Sequence, residues 1–342
     1  MKNRRDASRH GAVRRVVLAL AVGIAAPACA TVYVANYGVD AGGCGTQTSP
    51  CRNINYAIGV AGVGDTILVG PGAYREAGTI LCTPVNTAMI CVNKQVTILS
   101  TLGAANTVID GRLDESRDAV QIAADGVVFG KKKKGFTVRT TANYSGGGGS
   151  NGLLVDADGV RVEGNIFASN YSHVWIESGV GVTVVRNLTL LSTEQSILAF
   201  AGGTVVEGNT VQSGGSGIAA SADGVVAKGN VVTGVGTEGI GLEGTGVQVI
   251  GNSSIGNNEG VRMFGPAPSA TVSGNNFYAN YSNCGIYEYA GPAVTLAASG
   301  NFWGAASGPG GDPADTICAS GGITAPTVAP AAFKVKGVGA LP

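Results

Sequence analysis

From residue 160 onward the chain repeats one arrangement of apolar and polar positions. Small apolar pairs two residues apart, Val160 and Val162, Val182 and Val184, Val225 and Ala227, Val247 and Val249, each lead three residues later to an asparagine. Alternation with a period of two marks a strand that buries one face. The asparagines Asn165, Asn187, Asn209, Asn230, Asn252, Asn275 and Asn301 follow one another at steps of 22, 22, 21, 22, 23 and 26 residues. So constant a step predicts a solenoid. A second apolar series, Leu153, Val174, Ile197, Ile218, Ile240, Val261 and Ile286, runs at steps of 21, 23, 21, 22, 21 and 25 and adds a second strand to each period. Ile166 or Phe167, Leu188, Val211, Val231 and Phe277, just past the asparagines, add a third. Three strands and three turns in about 22 residues describe one coil of an all-β, single-stranded right-handed parallel β-helix.

Most of these asparagines follow a glycine, and both residue types tolerate the left-handed backbone of a tight turn. Coils stack about 4.8 Å apart, close enough for asparagine amides of successive turns to hydrogen-bond in a ladder. The expected role of all seven is structural.

A β-helix has to close both ends of its apolar column and hide its terminal strand edges. At the N-terminal end "TVYVANYG" reads as a strand. "SPCRNINYAIGVA" reads as a short capping helix, with Ser49 as cap, Pro50 in the first turn and Ile54, Ala57, Ile58 and Ala61 on one face. At the other end "GNFWGAASGPGGDPAD" breaks the period with Trp303 and a Gly/Pro loop. The organisation expected is a leader over 1–30, an N-terminal cap and first strands over 31–80, coils over 81–300, and a C-terminal cap and tail over 301–342.

Composition changes this picture in three ways. Residues 1–30 combine a basic start, an apolar stretch and the small-residue ending Ala28-Cys29-Ala30, which is the pattern of a cleaved signal peptide and predicts a secreted or periplasmic protein. Its removal takes six of the 22 basic residues and Asp6 of the 22 acidic ones, leaving a net charge of about −5, which argues against nucleic acid as a partner. No later segment is long and apolar enough to span a membrane. Six cysteines then remain, Cys44, Cys51, Cys82, Cys91, Cys284 and Cys318, an even number that points to disulfides. Their pairing is open on sequence alone; the sequence-local set 44–51, 82–91 and 284–318 would staple two N-terminal loops and the C-terminal end.

"VYVANYGVDAGGCGTQTSPCRNINYAI", "GDTILVGPGAYRE" and "NFWGAASGPGGDPAD" resemble the beginnings and endings of the pectin-lyase-like family of secreted right-handed β-helix proteins. The resemblance covers nearly all the chain after the leader. It implies fold and secretion; the fold itself hosts many activities. The paired aspartates, Gly-His-Gly and Arg-Ile-Lys of polygalacturonases are absent. "HVWIES" at 173–178 is similar to the Val-Trp-Ile-Asp-His of pectate lyases, with Glu177 at the position of a calcium-binding aspartate and Ser178 in place of the histidine.

In enzymes of that family the substrate groove follows the strand of the second series. Residues one and three places after each inward residue point out. The first outward column is Leu154, Trp175, Leu198, Ala219, Gly241, Arg262 and Tyr287, and the second is Asp156, Glu177, Phe200, Ser221, Glu243, Phe264 and Tyr289. For a chain with 6% aromatic residues, Trp175, Phe200, Phe264, Tyr287 and Tyr289 on one outward face are a concentration suited to sugar rings, with His173 beside them as a hydrogen-bonding candidate. Loops folded over the face are the structural alternative. Asp156 and Glu177, on successive coils, are the candidate Ca²⁺ pair, or a solvated acidic pair. Arg262 with Glu243 is the candidate acid/base pair, or a surface ion pair. Lys131–Lys134 occupy an asparagine-turn position as a solvated loop, with binding of an anionic glycan as the alternative, and "SGGGGSNG" at 145–152 is a connection rather than a phosphate cradle. The functional expectation is an exported protein that binds an acidic polysaccharide along this face, with lyase-like or epimerase-like turnover as its catalytic extension. A non-catalytic structural or adhesive surface module is the alternative.

Overall fold

The computed structural model describes residues 29–76, 80–84, 86–112, 118–140, 150–265, 270–289, 296–311, 313–319, 322–325, 327–332 and 334–335. The expected leader, apart from its last two residues, and positions 145–149 of the glycine-rich stretch lie outside these residues.

Each coil contributes one strand to each of three faces. Strands that precede the asparagine corner, such as Arg161–Glu163 and Val226–Lys228, form a ten-stranded parallel sheet that starts at Thr31–Val34. Strands after the corner, such as Ile166–Ala168, make the second face, and strands of the second apolar series, such as Val174–Ser178, make the third. In two coils the chain runs through from second to third face as a single strand, Leu188–Ala199 and Thr210–Ala220, so both faces belong to one eighteen-stranded sheet. The molecule is a parallel β-helix.

Because every coil sits directly on the next, inward side chains stack like on like. The interior is mostly Val and Ile at essentially zero exposure, among them Val162, Val184, Val206, Ile197, Ile218 and Ile240. Rings appear inside at few positions, Phe129 stacked on Phe136 at 5.1 Å and Phe277 edge-on to Trp303 at 5.5 Å. The narrow cross-section leaves little room for larger side chains.

The asparagines run through this interior as a hydrogen-bonded ladder. The Asn187 backbone N–H and Nδ2 both donate to Oδ1 of Asn209, at 2.8 and 3.1 Å, and Nδ2 also donates to the Val162 carbonyl at 3.0 Å. The pattern recurs from Asn165 to Asn275 and ends at Asn301, whose Oδ1 accepts both bonds from Asn275. All seven asparagines are fully buried. The left-handed backbone falls on the residue before each: Gly164, Gly208, Gly229, Gly251, Gly274 and Gly300 lie at φ between 62 and 70°. Glycine therefore makes the turn, and asparagine satisfies the amides the turn leaves over. Arg186 takes the glycine position before Asn187 at φ 54°, held by an ion pair of 2.9 Å to the nearly buried Glu163.

A second amide column lies five residues downstream. Val235 N–H donates to Asn257 Oδ1, and Asn257 N–H to Asn280 Oδ1, at 3.1 and 3.0 Å. Asn170 occupies the same corner further up.

The N-terminal helix covers Ile54–Val60, with Ile54, Ala57 and Ile58 buried. It begins four residues later than the Pro50 first turn expected, because Cys51 is held in a bridge to Val34 and a disulfide to Cys44. Ser49 is accordingly not its cap; the Glu76 carboxylate receives the first N–H groups, from Ile54 and Asn55. At the other end Trp303 is fully buried under the last coil. Disulfides join Cys44 to Cys51, Cys82 to Cys91 and Cys284 to Cys318.

Asn209→Ala removes the acceptor of two buried donors on Asn187 and the donor to the Val184 carbonyl. We expect a loss of about 2–4 kcal/mol, read as a lower urea midpoint together with faster hydrogen exchange at the Asn187 amide.

Candidate functional site

The first outward column has the register expected. Strand pairing aligns Leu154, Trp175, Leu198, Ala219, Gly241, Arg262 and Tyr287 across successive coils, and continues it to Gln121 and Cys91 at the N-terminal end. There the face is roofed. Ile80–Leu81 returns antiparallel on Thr87–Val92, the Cys82–Cys91 bridge holds the loop, and Thr83 Oγ1 accepts a 3.5 Å bond from the fully buried Gln121. Among the described residues the open part begins at Trp175.

The aromatics divide into two groups with a low stretch between them. Trp175 packs against Phe200 at 5.8 Å, and Phe200 is 47% exposed. Phe264, Tyr287 and Tyr289 form the second group, with ring separations of 6.0 and 6.4 Å and Tyr289 52% exposed. Ala219 and Gly241 lie between; a Cβ at Gly241 would come within 3.0 Å of the Phe264 ring. At about 4.8 Å per coil, Trp175 and Tyr287 stand about 24 Å apart along the axis, the length of several sugar rings.

The second column departs from expectation at its acidic end. A register shift between Val155 and Asp156 places Ser178, not Glu177, opposite Asp156, and Ser178 Oγ donates to the Asp156 carboxylate. Glu177 instead accepts a 3.4 Å bond from Asn86 of the roof. The strand alternation that would have paired the two carboxylates fails because a one-residue slip reverses facing. Among the described residues no three His, Cys, Asp or Glu side chains cluster as a metal site.

Arg262 has other partners than Glu243. Glu238 and Glu259 are in register on neighbouring strands and about 5% exposed; two like charges so placed need a cation. Arg262 supplies it, at 3.1 Å to Glu238 and 2.6 Å to Glu259, and its guanidinium lies 5.5 to 5.8 Å from the rings of Phe264, Tyr287 and Tyr289. These carboxylates raise its pKa above the usual arginine value, so it is held charged and is a poor proton acceptor. Glu243 is exposed. The expected acid/base pair is thus replaced by a buried ion triad that braces the second aromatic group. Its signal was present as Thr-Glu-Gly at 237–239 and Asn-Glu-Gly at 258–260, one period apart.

His173 is not beside the rings as a surface donor. It is fully buried at the corner before the third face, where Asn170 Nδ2 donates to its Nδ1 at 3.1 Å. Burial lowers its pKa to about 3. The residue that parity did not single out is Asp118, at the start of the third-face strand Asp118–Ile122. It is 7% exposed and accepts the Asn151 N–H at 2.8 Å. Burial first, and the charge of Glu177 to a lesser degree, push its pKa to about 7. Lys131–Lys134 form an exposed turn at the asparagine corner, away from these residues.

A family model described as the right-handed β-helix region matches residues 125–277 and 196–301. Among solved structures the fold is similar to the A-module of the mannuronan C-5 epimerase of Azotobacter vinelandii, at 14% identity and TM-score 0.50, covering 83% of this chain and 91% of that one. It is also similar to a pectate lyase, at 16% identity and TM-score 0.52, covering 80% and 78%. At such identities the likeness is one of fold. No curated protein matches the sequence.

Asp118 and His173 give stability opposite pH slopes. From about pH 4 to 7 an unfolded chain releases the Asp118 proton that the folded one retains, so this residue lowers stability as pH rises through that window. His173 stays neutral in the fold down to about pH 3, so its contribution falls as pH drops below the unfolded value near 6.5. Asp118→Asn keeps an acceptor for Asn151 without the charge. Its melting temperature should exceed that of the parent at pH 8 and converge with it near pH 4.

Proposed function

Because the chain belongs to the right-handed β-helix family, we propose that it is a carbohydrate-binding protein that takes a polysaccharide along the third face. The observation that carries this reading is the pair of aromatic groups, Trp175 with Phe200 and Phe264 with Tyr287 and Tyr289, separated by a low stretch at Ala219 and Gly241. Phe200 and Tyr289, about half exposed on a rigid sheet beside their partly buried partners, can stack on sugar faces at little entropic cost. The three disulfides favour an oxidising compartment, outside the cell or in the periplasm. No helix among the described residues is long and apolar enough to cross a membrane.

Charge argues for a neutral polymer over the acidic one expected from sequence. Glu177 and Glu243 are exposed on the face and Asp156 is half-buried, while Arg262, the one basic residue of either column, is already covered by two carboxylates. An acidic polymer would need a cation such as Ca²⁺ to bridge it to Asp156 or Glu177. Binding without turnover is the favoured reading, since Arg262 is held protonated between Glu238 and Glu259.

Affinity measurements with cello- and chito-oligosaccharides, polygalacturonate and alginate, each with and without Ca²⁺, test this. Phe200→Ala and Tyr289→Ala should each weaken binding of a neutral oligosaccharide about tenfold, an effect of the size of one stacking contact, with unchanged melting temperature. Equal affinity in both variants would remove the face as the site. Calcium-independent binding of polygalacturonate in preference to neutral sugars, weakened by Phe200→Ala or Tyr289→Ala, would reverse the charge argument, and unsaturated-product absorbance from any uronate polymer would establish lyase turnover.

A further inference from the structure

The second face carries an unusual excess of positive charge at one point. Strand Thr107–Asp110 lies between Gly72–Tyr74 and Thr137–Arg139, and its register sets Asp110 beside Arg139. Arg75, one residue past Tyr74, reaches the same carboxylate from the coil on the other side, and Arg112 reaches it from the same coil. Asp110 is 1% exposed. Its Oδ2 accepts Arg75 Nε and Nη2 at 3.0 and 2.8 Å, Arg112 Nη2 at 3.0 Å and Arg139 Nη2 at 3.1 Å, and Oδ1 accepts Arg112 Nε at 2.8 Å.

One buried carboxylate calls for one cation, and here three guanidiniums converge on it. Among the described residues two positive charges are left over, held together at the cost of their mutual repulsion. Each guanidinium carries five N–H groups, so most of these donors have no place on Asp110, whose lone pairs are already taken. The Nε of Arg139 is buried and has no protein partner. The outer edges of the three side chains remain accessible, at 48%, 45% and 32% for Arg75, Arg112 and Arg139. Arg75 also lines a pocket of about 450 Å³ together with Arg52, Asn53 and Asp40. Asp40 is engaged there by the backbone N–H groups of Arg52 and Asn53, at 2.8 and 3.0 Å, and its charge offsets that of Arg52, so the surplus is that of the three arginines on Asp110.

We propose that Arg75, Arg112 and Arg139 form an oxyanion-binding site for a carboxylate, sulfate or phosphate group carried on a glycan, with Arg52 as a flanking cation. Asp110 is its positioning residue: it gathers the three guanidiniums and fixes their planes, and the ligand replaces solvent on their outer edges. Planar forked donors match such oxyanions bidentately. This site lies on a different face from the aromatic groove and does not depend on it.

Binding of inorganic sulfate, inorganic phosphate, galacturonate and dextran sulfate to the full chain at low salt tests the proposal, with neutral dextran as the blank. Arg112→Gln leaves Asp110 paired with two arginines, so the fold persists; its affinity for dextran sulfate should fall at least tenfold, and Arg75→Gln should behave alike. Phe200→Ala should leave this binding unchanged. Relative affinities for sulfate, phosphate and galacturonate identify which oxyanion the site prefers. Lys131→Gln/Lys132→Gln removes two charges elsewhere and is the control for diffuse attraction. If that variant loses binding while Arg112→Gln and Arg75→Gln retain parental affinity, or if none of the anions binds above the neutral blank, the site does not exist.

Discussion

The buried asparagine ladder is the constraint from which the rest of the molecule follows. A coil has three corners, and at one of them the backbone turns too sharply for its N–H groups to reach the sheet. In an apolar interior those donors have to be met, and each is met by the amide of the next coil. The bond exists only if the next asparagine lies directly below. Register between coils is therefore fixed at this corner by hydrogen bonding, while apolar stacking of alternating Val and Ile excludes a one-residue slip but would by itself tolerate a slip of two. Glycine before the asparagine is the local condition, because the turn needs positive φ there.

Fixed register turns a sequence into a surface. One residue per coil falls into each outward column, so Trp175 and Tyr287, 112 positions apart in the chain, come to lie on a single axial line. The same rule assembles Arg75, Asp110 and Arg139 from three coils. It also brings Glu238 over Glu259, a juxtaposition that is tolerable only with Arg262 between them. The third and second faces thus carry opposite chemistry, rings with exposed carboxylates on one and surplus guanidinium on the other.

The period, the three faces and the whole first outward column were legible from residues 153 to 301, because side-chain alternation is strict wherever strands are regular. Legibility stopped where strands were not. The slip falls after Val155, at the end of its strand, and nothing in "LLVDADG" announces it. His173 precedes an inward residue and so read as outward, yet at a corner alternation does not apply and the ring turns into the interior. The helix start was misplaced because capping preference at Ser49 competed with a disulfide and a bridge at Cys51, and tertiary constraints win over propensity. Asn170, Asn257 and Asn280 sit five residues after ladder asparagines and were readable as a second column.

Arg186 shows how the repeat accommodates an exception. A side chain in left-handed backbone costs of order 1 kcal/mol, and here Glu163 on the adjoining coil offsets it by pairing with Arg186 as well as Arg161. The two positions are therefore epistatic, and the order of change matters. Glycine at 186 is open at any time, since it removes the strain and leaves Glu163 paired with Arg161. Loss of the carboxylate at 163 is open only afterwards, because beforehand it strands a strained arginine next to a second one. Drift along this corner has a permitted direction, back toward the glycine that the other coils keep.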